Sequence, residues 1–168
     1  MKFITHEEFK ELLRADSYWA GRWGYTKVVV EILERENIQS ALEIGAKELQ
    51  VVKDSDVMDN GDNPCRYSWD AGVSPWPIKD KQYDVVIALQ VWEHLRENQQ
   101  TAFKEVMRTS KMAILSFPHN WDCPNDPMHH GKDYEVFKEW TCGVVPKKIF
   151  HIPSSGGKRD RIIYFFKF

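Results

Sequence analysis

Apolar residues recur at helical spacing through the first forty positions. Phe9, Leu12 and Leu13 follow Thr5 and Glu8, which stand three apart as in a capping box, so a helix is predicted over about 6 to 15. Tyr25, Val28, Val29, Ile32 and Leu33 line one side of a second helix, which delivers the chain into a strand at 40 to 44. The period then changes. Val85 to Leu89 and Met112 to Phe117 are unbroken apolar runs, the pattern of strands covered on both faces in a parallel sheet. Between them Ala102 pairs with Val106 and Phe103 with Met107, which predicts a helix over about 97 to 109. From Lys53 to Lys81 periodicity gives way to Asp, Asn, Gly and Pro, with short strands expected near 56 to 58 and 66 to 69. Farther on, Val136, Phe137 and Trp140 form the apolar side of a helix from Asp133 to Thr141. Strands at Lys147 to Ile152 and Arg161 to Phe168 close the chain, joined by the turn-forming Pro153-Ser154-Ser155-Gly156-Gly157.

Strands alternating with helices and ending in a hairpin predict one α/β domain, residues 1–168, with N-terminal helices over 1–39 and a core over 40–168. The length of 168 residues allows one buried core and leaves no room for a separate substrate domain, so any site must sit on that core. Apolar residues at 42% and charged residues at 29% describe a globular chain. A formal charge of -2 with mixed signs argues against a broad nucleic-acid footprint. No segment approaches the roughly 18 apolar residues of a membrane span, and the start of the chain lacks a secretory apolar core, so a soluble, cytoplasmic protein without membrane partners is expected. Cys65, Cys123 and Cys142 are too scattered for a disulfide framework or a cysteine zinc site.

The candidate chemistry lies where strands end. Ala41-Leu42-Glu43-Ile44-Gly45 is an apolar strand closing in Glu-x-Gly, and Tyr83 to Leu89 is a second that opens into Gln90-Val91-Trp92-Glu93-His94-Leu95. Taken with Glu105-Val106-Met107-Arg108, Ser116-Phe117-Pro118 and His130-Gly131-Lys132-Asp133-Tyr134, these segments resemble the class I S-adenosylmethionine-dependent methyltransferases from about Ala41 to Tyr134. The loop Ala46-Lys47-Glu48-Leu49 departs from the family, which has further glycines there. The resemblance implies a Rossmann-like fold with helices on both faces of a mostly parallel sheet and an antiparallel last strand inserted at the sheet edge. It also implies S-adenosylmethionine as cofactor and a small-molecule or glycan acceptor.

In open α/β sheets ligands bind beyond the carboxyl ends of the strands. Glu43, Gly45 and Ala46 are accordingly cofactor candidates, and the resemblance implies that the acid organises the site near the methionine amino group and that the glycine lets backbone approach the ligand. Asp56 and Asp59 follow Gly45 by 11 and 14 residues, so any crossover helix is short or absent. Either is a candidate for the ribose hydroxyls, with Asp59 favoured. The resemblance further implies that Trp69 and Asp70 face the adenine side and that Leu89, Gln90 and Val91 form a backbone wall along the cofactor. A solvated Asp-Asn-Gly turn and a core tryptophan are the plainer readings of the same residues.

A sulfonium carries its own leaving group, so such a protein mainly binds, orients and desolvates. An alcohol acceptor would gain from a base, and His119, His94 and His130 are the candidates, with His119 preferred because Phe117-Pro118-His119-Asn120 leaves the fifth strand toward the same edge as the cofactor. Trp19, Arg22, Trp23 and Tyr25 either lid the pocket or pack the N-terminal arm onto the sheet. A metal-dependent hydrolase on His119, Asp122, Cys123, His129, His130 and Asp133 lacks helix-borne ligand spacing, so no metal is expected. A nicotinamide oxidoreductase lacks its Gly-x-Gly-x-x-Gly. The remaining alternative is a non-catalytic protein of the methyltransferase fold that binds a partner or another metabolite.

Overall fold

The computed structural model describes residues 1–46, 49–61, 65–119, 134–153 and 160–168. Helix α1, His6–Ala15, begins where the sequence places it, because Thr5 accepts a hydrogen bond from the Glu8 N–H while the Glu8 carboxylate accepts one from the Thr5 N–H. Helix α2, Trp23–Glu36, ends at Asn37, which takes the left-handed conformation at φ 49°. There follow strands β1 Ala41–Ile44, β2 Asp56–Asp59, β3 Tyr67–Ser68 and β4 Tyr83–Leu89, helix α3 Gln99–Thr109, strand β5 Ser110–Pro118, helix α4 Tyr134–Trp140, and strands β6 Lys148–Ile152 and β7 Arg161–Lys167.

These strands form one sheet of order β3-β2-β1-β4-β5-β7-β6, parallel from β3 through β5. β7 runs antiparallel to both β5 and β6. The fold is the class I methyltransferase arrangement, a Rossmann-like sheet with helices on both faces. The antiparallel last strand expected from the sequence is β7, inserted between β5 and the edge strand β6.

The two-residue period of the strands sorts the core into two layers. Leu42, Ile44, Val86, Ala88, Leu115 and Tyr164 join Phe103 and Val106 of α3 and Phe137 of α4. Ala41, Val85, Ile87, Ile114 and Phe165 join Phe9 of α1 and Val29 and Leu33 of α2. Burying either layer supplies roughly 1.5–3 kcal/mol per large side chain. The alternation also decides where Glu43 points, since it shares its face of β1 with Ala41 and so turns toward the layer of α1 and α2.

Two element boundaries moved. The helix predicted from about 97 opens with a 3-10 turn at Arg96–Asn98, because Asn98 gives α3 no side-chain cap. β3 is two residues long, since the chain turns immediately after it: the Trp69 indole donates to the Val73 carbonyl at 2.8 Å and Asp70 accepts from the Gly72 N–H at 2.8 Å. Glu105 and Arg108, the pair that matched a helix-end motif, fasten the loop before β4. Glu105 accepts from the Trp76 N–H at 2.8 Å and the Ser74 hydroxyl at 3.0 Å, and Arg108 donates to the Ile78 carbonyl at 2.7 Å. Burial opposes the charge on Glu105, but Arg108 and these donors hold its pKa below the ordinary carboxylate value. Among the described residues no helix is long and apolar enough to cross a membrane.

Candidate functional site

The chain leaves β1 in two directions, toward β2 and β3 on one side and toward β4 and β5 on the other, so the switch point of the sheet lies between the carboxyl ends of β1 and β4. Gly45 occupies that point. Its φ is 65°, its N–H donates to the Met58 carbonyl at 2.9 Å, and a Cβ placed on it would lie 2.9 Å from Cγ2 of Val91. The left-handed backbone and the close approach of Val91 each call for glycine. Gly45→Ala is therefore expected to cost about 1–3 kcal/mol through strain and overpacking, and a Val91→Ala partner change is expected to return the steric part while leaving the backbone part. Thermal melts of the two single variants and the double variant measure the split. Strictly additive losses would show that Gly45 and Val91 do not press on each other.

Glu43, one turn of the pleat earlier, is 3% exposed. Its carboxylate accepts hydrogen bonds from the Val51 and Val52 N–H groups at 2.9 and 2.8 Å and from the Ser55 hydroxyl at 2.8 Å. The described residues 49–55 contain no helix, as the short spacing required. A carboxylate replaces the helix as the acceptor for these backbone donors and holds the connection down on the sheet. Farther out, the same connection pairs with the N-terminus, where the Ile4 N–H donates to the Val51 carbonyl at 2.9 Å and Lys53 to the Lys2 carbonyl at 3.0 Å. Burial pushes the Glu43 pKa up to about 7 against the pull of its three donors.

An open cleft lies beside these two residues, with about 420 Å³ of space when the open solvent at its mouth is included. Its floor is Glu43, Ile44, Gly45 and Ala46 from the end of β1, with Ile87 and Leu89 from β4 and Leu49 from the connection. Tyr18, Trp19, Arg22 and Tyr25 of the N-terminal arm form the rim. Arg22 is held over the Tyr18 ring at 3.8 Å, donating to the Tyr18 carbonyl at 2.9 Å and to the Tyr25 hydroxyl at 3.0 Å. Burial raises the Tyr25 pKa, and Arg22 offsets part of that rise. Trp23 serves packing instead, stacked on His6 and tilted against Phe9.

The cofactor candidates divide by position. Glu43, Gly45, Ala46 and Leu89 line the cleft, and Val91 presses on Gly45 from its side. Gln90 sits behind the wall at φ 61°, its N–H and side-chain amide donating to the Ser116 carbonyl and hydroxyl at 2.8 and 3.1 Å. Asp59 closes β2 at the carboxyl edge, where it accepts from the Gly61 N–H at 2.7 Å. Asp56 opens the same strand and so stands at its amino end, bound to Arg66 at 3.0 Å and to the Tyr83 hydroxyl. Of the two ribose candidates, only Asp59 is at the edge where ligands bind. Trp69 and Asp70 stand at the exit of β3 outside the cleft, with their polar groups engaged in the turn already described.

On the acceptor side the histidines also divide. His94 is exposed at the end of a 3-10 turn, Trp92–His94, that leaves β4. The neighbour in that turn, Glu93, is 4% exposed. His119 leaves β5 with its N–H donating to the Asp160 carbonyl at 2.9 Å, and its ring meets the His151 ring edge-on at 5.3 Å. Its Nδ1 is buried with no hydrogen-bond partner. His130 lies outside the described residues, as do His129, Asp122, Cys123 and Asp133. Among the described residues no cluster of His, Cys, Asp or Glu forms a metal site. Tyr18, Leu49 and Ile87 line the cleft without having been singled out in the sequence. For Ile87 the signal was present, because it lies two residues before Leu89 on one face of β4.

Residues 33–112 match the family described as a methyltransferase domain. No curated protein matches the chain in sequence. Solved structures match it in fold. The N-methyltransferase NodS from Bradyrhizobium japonicum, in complex with S-adenosyl-L-homocysteine, is 13% identical with a TM-score of 0.60, over 84% of this chain and 86% of that one. The methyltransferase domain of bacterial CtHen1 is 15% identical with a TM-score of 0.60, over 88% and 99%. An S-adenosylmethionine-dependent methyltransferase from Clostridium acetobutylicum is 11% identical with a TM-score of 0.59, over 96% of both chains.

Proposed function

We propose, for a chain whose residues 33–112 match the methyltransferase-domain family and whose sheet has the class I arrangement, that it transfers a methyl group from S-adenosylmethionine to a small-molecule or glycan acceptor. The observation that carries this reading is Gly45 at the switch point, in the left-handed conformation and with no room for a side chain, at the floor of the cleft between β1 and β4. Bare backbone at that place suits the close approach of a nucleoside-bearing ligand. NodS, similar in fold, is solved with S-adenosyl-L-homocysteine.

The residues fit such a ligand. Gly45 and Ala46 offer backbone and Leu89 an apolar wall, while Arg22 and Tyr25 at the rim offer donors toward a carboxylate. Asp59 at the end of β2 suits a pair of ribose hydroxyls. Glu43, part of the floor, fixes residues 51–55 so that Gly45 and Leu49 keep their places. The cofactor, when bound, supplies an activated methyl on sulfur. The chain's task is then to bind it, align the acceptor with it and keep water out.

Titrating the protein with S-adenosylmethionine and S-adenosylhomocysteine in a calorimeter tests the reading. Micromolar binding is expected, with a matching rise in melting temperature because the ligand binds only the folded chain. Asp59→Ala is expected to weaken both ligands by at least about tenfold, a loss of one or two hydrogen bonds, while Asp56→Ala leaves them unchanged. Failure of both ligands to bind at millimolar concentration would turn the reading to a non-catalytic protein of this fold.

A further inference from the structure

Glu93 is the least expected buried group in the protein. It stands in the 3-10 turn leaving β4, two residues after Val91, which presses on Gly45, and four after Leu89, which lines the cleft. The side chain is 4% exposed. One of its oxygens, Oε2, is buried without a hydrogen-bond partner, while its own backbone N–H serves the carboxylate. Buried carboxylates are otherwise paired or fully bonded, as Glu43 and Glu105 are here. Arg22 on the cleft rim and Arg161 at the start of β7 are the charged groups that act on Glu93, and neither closes on Oε2. A second buried polar atom without a partner, Nδ1 of His119, leaves the adjacent strand β5, which is tied to the same exit by the Gln90 N–H to Ser116 carbonyl bond. The histidine beside Glu93 in sequence, His94, is exposed. Neither Glu93 nor His119 lines the cleft, but two unpartnered polar atoms at the exits of paired strands, just beyond the end of β4 where Leu89 lines it, mark a place for a hydrogen-bonding ligand.

We propose that Glu93 receives the acceptor's proton: the acceptor is an alcohol or an amine, its nucleophilic O–H or N–H donates to Oε2, and His119 Nδ1 holds a second polar group of the same molecule. This rests on the methyltransferase reading above. As the acceptor's lone pair forms its bond to the methyl carbon, the carbon–sulfur pair stays on sulfur, and the proton of the O–H or N–H passes to the Glu93 carboxylate. Glu93 returns that proton to solvent when product leaves. Burial lifts its pKa to about 7, which suits a base working near neutrality.

Sinefungin tests this without an identified acceptor, because it is an analogue of S-adenosylhomocysteine that carries an amine where the transferable methyl would point. Calorimetry on the wild type is expected to show sinefungin bound about tenfold more tightly than S-adenosylhomocysteine, the worth of one charge-assisted hydrogen bond. Glu93→Gln is expected to bind S-adenosylhomocysteine as the wild type does and to lose that preference. It is also expected to melt about 5 °C higher than the wild type near pH 8, since it removes a buried charge. A preference for sinefungin that survives in Glu93→Gln overturns the proposal. So does a variant that melts lower and loses both analogues together, which would make Glu93 a structural residue. Binding of neither analogue to the wild type overturns the cofactor reading and this inference with it, whereas equal binding of both overturns this inference alone.

Discussion

Glu43→Ala is expected to lower the stability of the protein by about 3–4 kcal/mol near pH 6, seen as a fall of roughly 10 °C in melting temperature. The change strands two buried backbone donors, Val51 N–H and Val52 N–H, and removes the acceptor of the Ser55 hydroxyl. Each buried donor left without a partner costs about 1–3 kcal/mol, more than a typical surface contact returns. Residues 49–55 are expected to detach from β1, taking Leu49 out of the cleft and loosening the pairing of Val52 with Phe3. Affinity for S-adenosylhomocysteine is expected to fall at least about tenfold at a temperature where the variant is still folded. Hydrogen exchange of the Val51 and Val52 amides provides the direct check. If both stay protected in the alanine variant, something other than Glu43 holds the connection.

How this carboxylate works shows where a sequence can be read and where it cannot. The strand at Ala41–Ile44, the helices at 6–15 and 99–109 and the closing hairpin all follow from local periodicity and local caps, which depend on residues a few positions apart. Expecting Glu43 and Gly45 beside a cleft at the end of β1 rested on the resemblance and on the rule that ligands gather at the carboxyl ends of strands, and both line the cleft. The partners of Glu43 were not legible, because Val51, Val52 and Ser55 form no pattern of their own and are acceptable in any irregular loop. Asp56 and Asp59 illustrate the same limit. Both lie in one acidic run, and the strand's two ends separate them in position: Arg66 and Tyr83 bind the first at the amino end, while the second turns at the carboxyl end. Glu93 and His94 are adjacent and both polar, so the sequence does not say which of them is buried. The tight 3-10 geometry buries Glu93 and exposes His94. The position of β7 between β5 and β6 depends on pairing across 43 or more residues, from Arg161 back to Pro118, which no local pattern records.

The same two buried carboxylates are expected to make the protein more stable in mild acid than in mild base. Burial pushes Glu43 and Glu93 from an ordinary value of 4.5 up to about 7, while in the unfolded chain both return to the ordinary value. Below about pH 4.5 each is protonated in both states, and the stability linked to it is fully present. Between there and about 7 the unfolded chain has lost its protons while the folded chain keeps them, so stability falls as pH rises. Each group contributes up to about 3 kcal/mol to that fall, an upper bound because water penetration and relaxation soften the burial of a charge. Groups with lowered pKa act in the opposite direction. Asp84, held low first by Lys111, and Glu105, held low by Arg108, contribute stability that is lost only as pH drops through their depressed values. Stability is therefore expected to peak near about pH 5 and to fall toward about pH 8 by some 10 °C in melting temperature. Glu93→Gln and Glu43→Ala each remove one of the two groups and are expected to flatten the profile by about half, so the deficit of Glu43→Ala shrinks as pH rises. A melting temperature that is level or rising over this range would show that neither carboxylate is buried in its acid form. If the profile is as expected, stability and proton acceptance by Glu93 run against each other, because the ionised form that can take a proton is the form that burial disfavours.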